Sequence, residues 1–300
     1  MKKRLTRSDH AKEIALKTVK EVVLVLWALT MLIPLVYMFV SSGKSPGAIT
    51  AEPFSLRMSW EELVKNYTGV WRGELTRPSG LVLQMFTPYL TMLRNAVILV
   101  AVALVFLVLG AVPIGYALAR RSFRLKSAYM IFLVFILAVP LFGYLIAFYF
   151  MMSAIRFTNN LFGIGIVYAA VSMPSGIIFL RGFYANFPQE VEESAEIDGA
   201  GELRRFFSIV VPMSRGIIVS IVLVNFMGYW NEFGIASILI DEQQFKTISL
   251  NIMMTSEASA YAPGFTFALL TLSALPTMLF FTIFQKQISQ GGIAMGSLKG

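Results

Sequence analysis

Long apolar runs separated by short polar stretches set the pattern of this chain. A helix needs about 20 mostly apolar residues to cross a bilayer. Six stretches read that way: 21–40, 92–118, 128–151, 161–183, 216–240 and 266–285. The pattern predicts six transmembrane helices and an all-α integral membrane protein. The first run is too long for a cleaved leader, and Ser41-Ser42-Gly43 is a poor cleavage site, so it reads as a retained helix. Residues 41–88 are the long polar interval. Within it, Ser59 followed three positions later by Glu62 predicts a short capped helix over 59–67. Trp60, Tyr67 and Trp71 are aromatic anchors for a membrane surface or an external partner, and a plain surface loop would look the same.

Composition agrees with the runs. The chain is 57% hydrophobic and 14% charged, too little polar material to cover a globule of 300 residues. The formal charge of +8 would suggest nucleic acid on a soluble domain. Here the basic residues flank apolar runs, so the positive-inside rule accounts for them and no nucleic-acid partner is expected. With the N-terminus placed in the cytoplasm, the cytoplasmic segments hold the seven basic residues of the 1–20 tail. They also hold Arg120, Arg121, Arg124, Lys126, Arg181, Arg204, Arg205, Arg215, Lys286 and Lys299, most of the 25 in the chain. Both termini are therefore expected to be cytoplasmic. The absence of cysteine excludes disulfides and thiolate chemistry, and the lone His10 makes histidine triads and metal sites improbable. No metal and no catalytic residue are expected.

Residues 189–212 form a charged island between the fourth and fifth runs. They carry six of the 17 acidic residues: Glu190, Glu192, Glu193, Glu196, Asp198 and Glu202. Pro188 suits the start of a helix, and the first glutamates suit its positive end. Ala195 is small enough for another surface to approach. Gly199 and Gly201 permit a sharp turn. Leu203, Phe206, Phe207 and Val210 then recur at i, i+3, i+4 and i+7, one apolar face, and Pro212 ends the element. A solvated loop helix would explain the charge. The apolar stripe favours a handle for a soluble partner.

The spacing Glu193-Ser194-Ala195, three residues, Gly199, nine residues, Ile209, one residue, Val211-Pro212 resembles the EAA loop of ATP-binding-cassette (ABC) importer permeases. Ser194 and Val211 stand where that family has Ala and Leu. Glu196-Ile197-Asp198-Gly199-Ala200 resembles the Ile-Asp-Gly-Ala variant of the same loop. Tyr229-Trp230-Asn231-Glu232-Phe233 and the closing Gly296-Ser297-Leu298-Lys299-Gly300 are similar to segments of the carbohydrate-type permeases, in particular the second subunit of the maltose-type pair. The resemblance runs from about residue 88 to the C-terminus.

It implies a type I importer permease fold of six transmembrane helices, with cytoplasmic coupling helices between spans four and five. The organisation it implies is a cytoplasmic tail (1–20), a first helix with an external loop (21–87), a transmembrane core (88–285, with the loop at 189–212) and a second tail (286–300). The implied home is the cytoplasmic (inner) membrane of a bacterium or archaeon. The implied partners are a second homologous permease subunit, two cytoplasmic ATP-binding subunits, an extracytoplasmic solute-binding protein, a sugar and the lipid bilayer. By the same resemblance Glu193, Ser194, Ala195, Asp198, Gly199, Ala200, Phe206, Ile209 and Pro212 meet an ATPase.

The chain carries no cofactor in this reading. Gly43-Lys44-Ser45 imitates the end of a phosphate-binding loop, but the required first glycine is Met38, so ATP belongs to the partner subunits. Charge inside a span is costly, which singles out Glu232. Asn225, Tyr229 and Glu232 fall at i, i+4 and i+7. With Trp230 they either line a sugar path or bond neighbouring helices. Prolines 34, 113, 140, 174 and 276 are candidate kinks. Three other functions fit the composition: a permease for a non-sugar solute, a membrane-embedded enzyme and an ion-coupled transporter. The last two need more intramembrane charge or paired acids than the runs offer.

Overall fold

The computed structural model describes residues 7–76, 80–84, 86–140, 143–255 and 260–296. The chain divides into two compact units: 1–70, 74–83 and 256–272 form the first, and 71–73, 84–255 and 273–300 the second.

The first unit holds α1 (Arg7–Ser42), α2 (Pro46–Ala51), most of α3 (Trp60–Arg72) and the short strands β1 (Glu74–Thr76) and β2 (Val82–Gln84), paired as a two-stranded sheet. The expected capped helix is present and longer than the pattern suggested. Ser59 Oγ accepts from Glu62 N at 3.4 Å, and Glu61 and Glu62 fill the acidic first turn. The Gly43–Ser45 segment has a structural use. Lys44 is buried, and its Nζ donates to the carbonyls of Glu52 and Pro53 at 3.1 and 3.0 Å, tying down the turn after α1. Asn66 is also buried and donates to the Ser42 carbonyl at 2.9 Å, which ties α3 to the end of α1.

The second unit holds α4 (Tyr89–Arg120), α5 (Lys126–Ala138), α6 (Leu145–Ala154), α7 (Leu161–Ala185), α8 (Gln189–Ile197), α9 (Glu202–Met213), α10 (Arg215–Asn231), α11 (Gly234–Leu239) and α12 (Ile248–Met254). The last helix, α13 (Pro263–Gly296), begins in the first unit and continues in the second. Its core is the pairing of α4 with α7. Lipid offers no hydrophobic drive between helices, so close packing must hold them together, and small residues allow it. A Cβ at Gly165 would lie 2.8 Å from Val102, and one at Gly176 would lie 3.2 Å from Leu107. Ala103, Leu107, Ala111, Ile164, Ile177 and Leu180 are almost wholly buried along this seam.

Among the described residues, the count of continuous spans differs from six. Four helices among the described residues are long and apolar enough to cross: Leu16–Ser42, Tyr89–Arg120, Leu161–Ala185 and Pro263–Gln287. A fifth candidate is the pair Glu202–Met213 and Arg215–Asn231, bent by 67°. The run at 128–151 is two shorter helices, α5 and α6. Val139 leaves the helical region (ψ 122°) because Pro140 follows and crowds it. The run at 216–240 also breaks, at Glu232 (ψ 129°) and Phe233. Apolar periodicity does not register these breaks, since both sides of each are equally greasy. Pro34, Pro113, Pro174 and Pro276 lie inside helices.

Candidate functional site

The charged island folds as a helical hairpin. After α7, Pro188 (φ −57°, ψ 119°) sets the entry to α8, whose first turn carries Glu190 and Glu192. Ser194 Oγ donates to the Glu190 carbonyl one turn back. Gly199 stands at φ +78°, in the left-handed region that suits glycine. Gly199 N donates to Glu196 O, and Ala200 N donates to Ala195 O, at 3.0 and 2.9 Å. Those two bonds are the Schellman closure of a helix end. Gly201 is ordinary (φ −62°) and precedes α9.

Phe206–Val210 form a π-helical turn inside α9, where Val211 N donates five residues back to the Phe206 carbonyl. Pro212 has no N–H and would crowd the carbonyl four residues earlier, and the wider turn relieves that crowding. The expectation that Pro212 ends the element is therefore corrected by one residue. The helix continues to Met213, and the sharp bend falls at buried Ser214, whose Oγ donates to the Val210 carbonyl at 2.6 Å.

Glu193, Ser194, Asp198 and Gly199 are exposed, whereas Ala200 and Ile209 are half-buried and Pro212 is exposed. Ala195 is buried by its own chain, so it does not offer the outer surface that the sequence suggested. The apolar stripe is split. Phe206 and Val210 turn inward, while Leu203 and Phe207 remain 74% and 65% exposed. Ile197, at the tip, is 86% exposed and carried no periodic signal.

Glu192 is the residue that sequence reading missed. Its carboxylate is engaged by Arg120 and Tyr116 of α4. Arg120 and Glu192 are 72 positions apart, so no local pattern could pair them. Arg121 beside it pairs with Glu202, and Arg205 pairs with Glu196. The Arg121 hydrogen bond holds the Glu202 carboxyl below its ordinary pKa. A depressed carboxylate keeps such a pair above the ordinary carboxylate range, and loses it as pH falls through the lowered value.

The four candidate path residues do not share one open face. Asn225 alone borders a groove of about 220 Å³, with Ser175, Gly176, Phe179, Ser220, Ile221 and Val224; its amide donates to the Ile221 carbonyl at 2.9 Å. Tyr229 is buried against the ring of Tyr168, and its hydroxyl faces Ser172 without a hydrogen bond of ordinary geometry. Trp230 is buried, stacked on Phe226. Glu232 is off the helix altogether. Its Oε1 accepts from Ile235 N at 2.7 Å, which caps α11, and the Tyr168 hydroxyl lies beside the same carboxylate. Losing such a cap costs about 1 kcal/mol. Glu232→Ala should therefore speed amide exchange at Ile235 and Ala236 and lower the melting temperature slightly. Hydrogen exchange in detergent checks this, and unchanged protection of both amides would contradict the capping role.

Helices of this length and apolarity, with a charged hairpin outside them, define a multi-pass membrane protein. Residues 111–291 match the family described as binding-protein-dependent transport system inner membrane component, and the chain belongs to that family. It is thus a transport permease, the inner-membrane component of a system that works with substrate-binding and ATPase proteins, and its family is not one of enzymes. The chain is 27% identical to the diacetylchitobiose uptake system permease protein NgcG of Streptomyces coelicolor over 99% of this chain and 93% of that one. It is 29% identical to the maltodextrin transport system permease protein MalD of Streptococcus pneumoniae, over 71% of this chain and 75% of that one. The fold matches a chain of a bacterial ABC transporter involved in import of the acidic polysaccharide alginate, with a TM-score of 0.71, 22% identity, and coverage of 94% of this chain and 98% of that chain.

Proposed function

We propose that this chain is one of two related permease subunits of a sugar or oligosaccharide importer, and that its α8–α9 hairpin is the element an ATPase subunit grips. The observation that carries the cargo is the near full-length similarity to a diacetylchitobiose uptake permease, joined by the similarity to a maltodextrin permease. The hairpin reading is supported by its outward residues. Glu193, Ser194, Asp198 and Gly199 present charge and backbone, and Ile197 and Leu203 present apolar side chains to water at its tip. A solvated loop has no use for that combination.

In this reading α5 and α6 together make one crossing and α10 with α11 another. That gives six crossings with both termini and the hairpin in the cytoplasm, residues 21–87 supplying the first helix and its external loop, and 88–285 the transmembrane core. The heteromer has two ATP-binding subunits and an external binding protein. Of the candidate path residues, Asn225 is the one placed to meet a solute, because it borders an open groove. The test is reconstitution with the neighbouring permease, ATPase and binding protein, followed by a screen of glycans and other solutes for stimulated ATP hydrolysis and uptake. Stimulation by an oligosaccharide in the presence of the binding protein is expected. A response confined to a non-sugar solute would overturn the cargo assignment and leave the hairpin reading standing.

A further inference from the structure

Two neighbouring arginines end α4, and each holds a different arm of the hairpin. Arg120 Nε donates to Glu192 Oε1 at 2.9 Å, with Nη2 at 2.8 Å from the same oxygen. Its Nη2 also donates to the Phe187 carbonyl at 2.6 Å. Tyr116, one turn earlier, donates its hydroxyl proton to Glu192 Oε2 at 2.5 Å. Both carboxylate oxygens are thus taken up by α4, and the Arg120 and Glu192 side chains are each only 12% exposed. The Arg121–Glu202 pair joins α4 to α9, and Arg205–Glu196 joins α9 to α8. The three contacts close a triangle of helices.

Its sides are unequal. Arg121 and Glu202 are about half exposed, so solvent and salt weaken that pair. The Arg120–Glu192 pair is shielded and satisfied by additional hydrogen bonds, which is the condition under which removing one partner strands a charge. The Tyr116 ring also packs on Tyr184 of α7 and on Phe206 in the π turn. One side-chain cluster therefore touches α4, α7, α8 and α9.

We infer that Tyr116, Arg120 and Glu192 form a latch that makes α8 move as one body with the C-terminal end of α4. They are positioning residues for coupling, distinct from the outward Glu193 and Gly199, and the inference rests on the reading of the hairpin as the ATPase-gripped element. Displacement of α8 by an ATPase is then delivered to α4, and through the close α4–α7 seam to the bundle. Without the latch it is absorbed in the Asn186–Pro188 connection.

The chain has no cysteine, so spin labels can be placed at Ala117→Cys and Gln189→Cys, both exposed and outside the surface assigned to the ATPase, in the whole transporter with cysteine-free partners. One narrow distance, the same with and without ATP, is expected. Glu192→Ala should broaden it and lower uptake per ATP hydrolysed at least tenfold, and Arg120→Glu combined with Glu192→Arg should recover part of both. Where Glu192→Ala fails to assemble, Glu192→Gln, which keeps the shape and loses the charge, is read by the same distance. A wild-type distance that changes with nucleotide overturns the latch, as does an unchanged distance and coupling ratio in the glutamate variants. Full coupling in Gly199→Pro and Glu193→Lys would instead sink the hairpin reading, and the label distance would still report whether α8 and α4 are joined.

Discussion

Gly199→Pro should give a permease that inserts and assembles into a transporter whose ATPase subunits hydrolyse ATP without moving solute. The backbone at 199 stands at φ +78°, and proline is confined near −65°. The substitution also deletes the N–H that donates to the Glu196 carbonyl, one of the two bonds closing α8. An added Cβ at this position would meet nothing within 4 Å, so the effect is conformational and not a clash. The damage therefore falls on the angle between α8 and α9 and spares the bundle. A graded series sharpens the claim. Gly199→Asn, which tolerates left-handed angles, should keep most coupling. Gly199→Ala, at about 1–2 kcal/mol for a left-handed non-glycine residue, should lose part. Glu193→Lys should mimic the proline variant by a different route, since it reverses an exposed charge and leaves the fold alone. The measurement is uptake per ATP hydrolysed in proteoliposomes, and equal coupling across the whole series would refute the role of the turn.

Gly115→Val should fail earlier, in folding. A Cβ there would lie 2.7 Å from Leu180 Cβ, 3.2 Å from Arg181 N and 3.3 Å from the Ile177 carbonyl oxygen. Two of those neighbours are backbone, so the clash is relieved only by moving α4 away from α7. Overpacking of this kind costs about 1–3 kcal/mol, and valine adds two methyl groups beyond the Cβ. The expected result is a fall of several degrees in melting temperature in detergent and a lower yield of assembled complex. Gly182 of α7 is the internal comparison, because a Cβ there meets nothing within 4 Å. Gly182→Ala should be neutral or slightly stabilising, as alanine is the better helix former. If Gly115→Val and Gly182→Ala melt alike, the seam is not the close-packed core described above.

The two glycines differ in how visible they are from sequence. Gly199 was legible, because it closes a short polar helix and falls at the spacing of a known loop. Gly115 was not, because a glycine inside an apolar helix has no local signature, and its partner surface at Leu180 is remote in the chain. The same division runs through the hairpin. Its two helices and their turn followed from proline, glycine and apolar spacing. The apolar stripe did not survive, because packing against a remote segment decides burial: Phe206 turns inward onto the ring of Tyr116, while Leu203 and Phe207 remain exposed. Glu232 reads in the sequence as a charge inside an apolar run, with a sugar path and bonds to neighbouring helices both open; in the structure it follows one helix and its carboxylate caps the next.

Taken alone, the sequence determined the membrane class, the position of the charged hairpin and the glycine that turns it. Those depend on hydropathy over tens of residues and on backbone sterics at single positions, which are properties of contiguous chain. Only the tertiary structure decided where the apolar runs break, which residues of the hairpin face outward, and that Glu192 binds it to α4. Those depend on contacts between distant segments, such as Arg120 with Glu192 across 72 positions, and burial in the folded bundle is what gives that charge pair its weight.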